Sequence, residues 1–158
     1  MKTCINIKRT TPKYELEIIE DIADTYDFAL ETLQSHLKLN NVYIMLTNYD
    51  MRVNNSQIYR IEHRKRTMIK INTEEIIESF VTKEWKQRYS REFLPQKMDT
   101  LEHSLFVLFH EIAHYIRKDH LFWRQGMSEL DKKYAEFDCD IRALKLLELF
   151  KALRSVND

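Results

Sequence analysis

The sequence HEIAHYIRKDH, residues 110–120, contains two histidines four residues apart, with a glutamate directly after the first. On an α-helix, residues four apart differ by about 400° in rotation, so His110 and His114 project from one face a single turn apart. Glu111 lies about 100° round from His110, close enough for its carboxylate to reach a water molecule on a metal held by the imidazoles. The stretch therefore predicts a helix that carries half of a metal site and needs a third ligand.

The residues around this motif predict that its helix, from about residue 100 to 119, is buried. Apolar side chains occupy nearly every face of the helix, and they are Leu105, Leu108, Phe109, Ile112, Ala113 and Ile116. Two imidazoles and a carboxylate would be costly to bury there without partners, which favours a metal site over a chance pattern. Asp99 followed by Glu102 predicts where the helix begins.

Two residues are candidates for the third ligand, and the first is His120. It lies ten residues after His110, which is the spacing of the metzincin pattern HExxHxxGxxH. In that pattern the glycine lets the chain leave the helix sharply, but Arg117 stands at the glycine position here. If the helix simply continued, His120 would lie about 240° round from His114 and point away from it.

The second candidate is Glu136, which lies 22 residues after His114 in the stretch EFDCD. Glu136 and Asp140 are four residues apart on the predicted last helix, so they share a face. One carboxylate can bind the metal while the other accepts a hydrogen bond from the second ring nitrogen of a ligand histidine. This two-helix arrangement favours Glu136 over His120 as the third ligand.

The rest of the sequence predicts an α+β fold, with one domain over residues 1–158. Apolar periodicity predicts the helices, and β-branched or alternating runs predict three strands, the last two forming a hairpin. The predicted elements are a long helix at 13–39, strands at 41–49, 56–62 and 67–72, a second helix at 74–90, the motif helix, and a last helix that Ser128 caps and that ends near Ser155. One stripe of the last helix is predicted to lie in the core, and it comprises Leu130, Tyr134, Phe137, Ile141 and Leu144.

The composition argues against several classes of protein. With 25 basic and 25 acidic residues among 158, no net charge draws the chain to nucleic acid or to an anionic membrane. The sequence contains no run of about 18 apolar residues and no signal-peptide core, so we expect a cytoplasmic protein that has no membrane segment. In that compartment Cys4 and Cys139 are expected to be free thiols.

The segments HEIAH and EFDCDIRAL together resemble the gluzincin metallopeptidases, whose pattern is HExxH followed by ExxxD on the next helix. The second segment is similar to the E-F-x-A-D of membrane-linked members, with Cys139 where alanine is common. Because no transmembrane segment is predicted, the chain looks more like the small soluble members, the minigluzincins and the ImmA/IrrE-like peptidases. The resemblance covers residues 100–145 and implies a single zincin-like domain.

The resemblance implies a zinc-dependent peptidase that hydrolyses peptide bonds in a protein or peptide substrate. Zn²⁺ would be held by His110, His114 and Glu136. Glu111 would act as general base on the zinc-bound water, and Asp140 would orient a ligand histidine. Gluzincins usually add a side chain that stabilises the oxyanion, for which the candidates are His103, Tyr134 and Arg142.

The alternative is a zinc-binding, catalytically silent protein of the same type, which recognises a regulatory partner without cutting it. An active peptidase would in turn need control, by a regulatory protein or by a segment of its own chain that occludes the cleft. The polar and aromatic stretch at 80–97, directly ahead of the motif helix, is the candidate for such an autoinhibitory segment.

Overall fold

The structure, a computed structural model, describes residues 2–49, 57–61, 66–74, 76–77, 98–122 and 126–157. Helices and strands both occur, and the predicted α+β class is confirmed. The elements in chain order are β1 (Cys4–Asn6), α1 (Lys13–Thr32), β2 (Val42–Thr47), β3 (Gln57–Ile61), β4 (Arg66–Asn72), α2 (Thr100–Arg117), α3 (Asp119–Phe122) and α4 (Glu129–Asn157).

The four strands form one sheet in the order β1-β2-β4-β3. β1, β2 and β4 run parallel, while β3 is antiparallel to β4, which confirms the predicted pairing of the last two strands. The predicted turn at 63–66 lies mostly outside the described residues. β1 was not predicted, because three exposed residues are too short to show an alternating pattern.

α1 contributes to the core an apolar face that includes Ile19, Ile22, Tyr26 and Ala29. The helix ends at Thr32 rather than near residue 39, because the chain tightens into a turn in which the His36 amide donates to the carbonyl of Leu33. Leu33 and Leu37 remain buried in this turn, so their apolar spacing extended beyond the helix itself. Apolar periodicity therefore marks buried residues more reliably than helix ends.

α2 is the predicted motif helix, and its prediction as a buried helix is confirmed. Asp99 caps it by accepting a hydrogen bond from the Glu102 amide at 2.8 Å. Every residue from His103 to His114 is buried. α2 packs against α4 along its length and also contacts α1, where the Tyr26 hydroxyl donates to the Ser104 carbonyl at 2.8 Å. The motif is thus held between two helices.

α4 begins as predicted, with Ser128 accepting a hydrogen bond from the Asp131 amide at 3.1 Å. The predicted buried stripe is wrong: Leu130 and Tyr134 are 72% and 71% exposed, Phe137 is also exposed, and Ile141 and Leu144 are only half-buried. The buried face instead follows a series of smaller residues that lets α4 approach α2 closely, namely Ala135, Cys139, Ala143 and Leu147. Asp140 lies beside this series and is fully buried.

Several smaller predictions can be placed on the described part of the chain. Residues 73–74 and 76–77 are helical where the second helix was predicted to begin, and the rest of that helix lies outside the described residues, as does the segment at 80–97. Cys4 and Cys139 are free, as predicted. Among the described residues, no helix combines the length and the apolar character needed to cross a membrane.

Candidate metal centre

α2 and α4 bring His110, His114 and Glu136 together. Nε2 of His110 lies 3.0 Å from Oε2 of Glu136, and Nε2 of His114 lies 3.0 Å from Oε1 of the same carboxylate. The two rings stand 4.8 Å apart at 80° to each other, and one donor atom from each of the three residues lies within 4.8 Å of the others. Two imidazoles and a carboxylate are a common donor set for transition metals, so this group could hold a metal ion.

In each histidine, the ring nitrogen that does not face Glu136 is Nδ1, and it contacts a buried aspartate. Nδ1 of His110 lies 2.8 Å from Oδ1 of Asp140, and Nδ1 of His114 lies 2.8 Å from Oδ2 of Asp119. Because Nδ1 faces a carboxylate in both rings, both Nε2 atoms point towards Glu136. Asp140 was expected from the sequence, whereas Asp119 was not.

A residue with a left-handed backbone conformation at the end of α2 turns the chain so that Asp119 reaches His114. The helix ends at Arg117, and Lys118 follows with φ 65°, after which α3 starts at Asp119. The residue that adopts this conformation after a helix is usually glycine and sometimes asparagine, so it can often be predicted from the sequence. With lysine in that position, the sequence carried no sign of the turn.

His120 is not brought to the group. Its ring stacks on Tyr115, with centroids 5.5 Å apart and planes 19° apart, and it lines a separate surface cavity together with Lys38 and Lys118. The chain does leave the helix sharply, as it would in the glycine-containing pattern. Because the turn comes one residue after the glycine position, it carries Asp119 to His114 and leaves His120 outside.

Charged residues join the ends of α2 and α4 beside this group. Arg117 donates through Nε to Oδ2 of Asp119 at 3.0 Å and through Nη1 to Oδ2 of Asp138. Arg142 donates to the same Asp138 oxygen at 3.0 Å. In the sequence, Arg117 had no predicted role and was notable only for standing at the glycine position of the metzincin pattern.

The three candidates for oxyanion stabilisation do not lie beside Glu136. Tyr134 is two residues, or about 200°, away on α4, and it points into solvent. Arg142 forms an ion pair with Asp138. His103 is buried on the same face of α2 as His110, but two turns and about 10 Å along the helix axis from it.

The acidic residues around the site raise the pKa of both imidazoles. Burial alone would lower the pKa of His110, but hydrogen bonds to Asp140 and Glu136 and the nearby charge of Glu111 raise it to about 9. Burial opposes protonation of His114 as well, yet Asp119, Cys139 and Glu136 raise its pKa to about 12.

The same contacts lower the pKa values of the carboxylates. Burial works against ionisation of Glu136, but its contacts with both imidazoles hold its pKa well below the usual range. The pKa of Asp119 is lowered in the same way by His114 and Arg117. The buried carboxylates and the two imidazoles therefore stabilise each other's charged forms.

A second group with metal-ligating side chains shares one of these histidines. Atoms of His114, Asp119 and Cys139 lie within 4.8 Å of one another, with Sγ of Cys139 3.9 Å from Oδ2 of Asp119. Burial raises the pKa of Cys139, despite the opposing effect of His114, so its sulfur stays a thiol at neutral pH. Arg117 already occupies the same Asp119 oxygen.

Comparison of the chain with known protein families, with curated proteins and with solved structures finds no match. The resemblance to gluzincins consequently rests on the two sequence motifs, and the structure adds a group of residues, His110, His114 and Glu136, that could hold a metal ion.

Proposed function

We propose that the chain is a zinc-dependent peptidase of the gluzincin type, which hydrolyses peptide bonds in a protein or peptide substrate. The observation that carries the proposal is the contact of two imidazole Nε2 atoms with the two oxygens of Glu136, 3.0 Å each, beside a buried glutamate on the same helix. His110, His114 and Glu136 would be the metal ligands. Zinc is favoured over calcium or magnesium because two of the three donors are imidazoles.

Glu111 is the residue of this chain that would move the proton. Zinc, when bound, supplies a Lewis acid that activates water and polarises the scissile carbonyl. Glu111 is 5% exposed and follows His110 directly on α2, about 100° round the helix, which supports a role beside the metal-binding group. It would take the proton from the attacking water and later donate it to the leaving amine.

An extended substrate would pair with β3. Of the two strands at the edges of the described sheet, β3 contacts α2 and α3, whereas β1 contacts α1. A peptide that adds to β3 by main-chain hydrogen bonds would therefore run past the motif helix. This pairing depends on the backbone and fits a peptide or protein substrate better than a small molecule.

The zinc content of three proteins tests the ligand set. We expect tight binding of one zinc per chain in the wild type, after chelation and re-addition of limiting zinc. Glu136→Ala should lose tight binding because it removes the carboxylate between the imidazoles. His120→Ala should keep it, because the His120 ring stacks on Tyr115 outside the group. Loss of zinc in His120→Ala alone would contradict the ligand set.

The role of Glu111 is tested by Glu111→Gln, which keeps the shape of the side chain and removes the base. We expect zinc to stay bound and the turnover of unstructured peptides, followed by mass spectrometry, to fall by about 10²–10⁴-fold. Glu102→Gln is the matched control, because Glu102 lies on the same helix but pairs with Lys151 at 2.9 Å away from the site. Equal turnover in the wild type and Glu111→Gln would contradict the peptidase mechanism.

A catalytically silent, zinc-binding protein that recognises a partner is the second candidate. The low exposure of His110, Glu111 and His114, at 3–5%, is the observation that favours it, since a substrate must reach these groups. A structural zinc, however, has no use for Glu111 beside it. In cells, Glu111→Gln should abolish the function of a peptidase and leave that of a silent protein unchanged.

A further inference from the structure

We propose that Asp119 is a positioning residue that fixes His114 as a metal ligand, and that Arg117 holds Asp119 in place. The inference rests on the proposed metal site and adds a residue that the HExxH and ExxxD motifs do not contain. Its basis is the contact between Nδ1 of His114 and Oδ2 of Asp119, 2.8 Å, which mirrors the contact between His110 and Asp140.

The contacts of Asp119 converge on one oxygen. Oδ2 lies 2.8 Å from Nδ1 of His114, 3.0 Å from Nε of Arg117 and 3.9 Å from Sγ of Cys139. Asp119 is only 5% exposed, and an ionised carboxylate is buried at high cost unless it is paired. With Nδ1–H donating to this oxygen, the ring of His114 is turned so that Nε2 faces Glu136.

The backbone adopts a costly conformation to bring Asp119 there. Lys118 has φ 65°, a left-handed conformation that disfavours a side chain by about 1–2 kcal/mol relative to the right-handed helix. Arg117, on the preceding residue, contacts both Asp119 and Asp138 and so links the turn to α4. A strained residue held by its surroundings is common next to functional sites.

A second metal ion bound by His114, Asp119 and Cys139 would use the same atoms differently. That reading requires the metal to displace the guanidinium of Arg117 from Oδ2 of Asp119 and to remove the proton from the Cys139 thiol. It also requires Nδ1 of His114 to bind a metal instead of donating to Asp119. One metal per chain, supported by Asp119, needs none of these changes.

The experiment compares zinc affinity, by competition with a chelator, in the wild type, Asp119→Ala, Asp119→Asn and Asp138→Ala. Loss of a carboxylate behind a ligand histidine typically weakens metal binding by about 10–100-fold, so we expect about 100-fold for Asp119→Ala. Asp119→Asn keeps an oxygen that can accept from Nδ1–H and should lose only about tenfold. Asp138→Ala removes the other contact of Arg117 and should leave zinc affinity unchanged.

Three results would overturn the inference. Equal losses in Asp119→Ala and Asp138→Ala would mean that Asp119 only clamps two helices. Unchanged affinity in both Asp119 variants would mean that His114 needs no support. Two zinc ions per wild-type chain, falling to one in Asp119→Ala, would establish the second metal site instead.

A metal-free measurement separates this inference from the proposed function. By NMR of the histidine rings in chelated protein, we expect a hydrogen-bonded Nδ1 proton on His114 that disappears in Asp119→Ala and persists in Asp138→Ala. Failure of the wild type to bind zinc would refute the proposed function while leaving this contact measurable. Absence of that proton from the wild type would refute the role of Asp119 directly.

Discussion

Nδ1 of His110 contacts a carboxylate on α4, far along the chain, whereas Nδ1 of His114 contacts one only five residues on, just past the end of its own helix. Asp140 is fully buried on the part of α4 that packs against α2. Asp119 arrives through a left-handed turn and shares its oxygen with Arg117. One half of the site is therefore positioned mainly by helix packing and the other mainly by charge, and the two halves should respond differently to mutation and to pH.

The largest expected difference is in the stability of the metal-free protein, measured by denaturant unfolding with a chelator present. Asp119→Ala should cost about 3–5 kcal/mol, because it leaves the protonated His114 and Arg117 without the carboxylate between them. Asp140→Ala should cost about 1–3 kcal/mol, because the pKa of His110 is raised only to about 9 with Asp140 present and falls without it, so the ring can lose its proton and stay buried as a neutral group.

The control for this comparison is Asp138→Ala. Asp138 contacts Arg117 and Arg142 but neither histidine, and its side chain is 30% exposed, so its loss should cost under about 1 kcal/mol. A cost for Asp140→Ala as large as that for Asp119→Ala would show that both halves depend equally on charge.

The second prediction concerns the protons released when zinc binds. At about pH 7 both imidazoles of the metal-free protein are protonated, since their pKa values are about 9 and about 12. Zinc binding should then release two protons, and apparent affinity should rise by about 100-fold per pH unit. Above about pH 9 only His114 still carries its proton, so release should fall to one proton and the slope to about tenfold. Calorimetry in buffers of different ionisation enthalpy measures both quantities.

The metal-free protein should show the opposite dependence on pH. Both histidine pKa values are raised on folding, so the stability that the imidazolium groups contribute is complete below about 6.5 and falls as the pH rises through about 9. Glu136 has a lowered pKa, so its contribution is present above about 4.5 and is lost at more acidic pH. Stability that rose between about pH 6.5 and 9 in the presence of chelator would contradict these assignments.

The half of the site that depends on packing was readable in the sequence. Glu136 and Asp140 share a helix face by their spacing, and the apolar surroundings of the motif predicted that α2 is buried. The half that depends on the turn at Lys118 could not be predicted, because nothing in the sequence indicates that a lysine adopts a left-handed conformation. The missed residue, Asp119, is separated from the motif by that turn.

The error on α4 has a related cause. Leu130, Tyr134 and Phe137 are spaced for one helix face, and so are Ala135 and Cys139. Hydrophobicity alone favours the larger set, but the smaller set allows the close approach that puts Glu136 between two histidines. Periodicity identified two possible faces, and the distance between helices decided which one is buried.

The smallest expected effect tests the turn itself. Lys118→Gly removes a side chain from a left-handed residue and should stabilise the protein by about 0.5–1 kcal/mol in denaturant unfolding. Lys145→Gly is the matched control, because the same substitution in the exposed interior of α4 should destabilise by about 1 kcal/mol. Zinc affinity should be unchanged in both, since neither lysine contacts the metal-binding group. Equal destabilisation by the two substitutions would mean that residue 118 is not left-handed, and the chain would then carry Asp119 away from His114 instead of towards it.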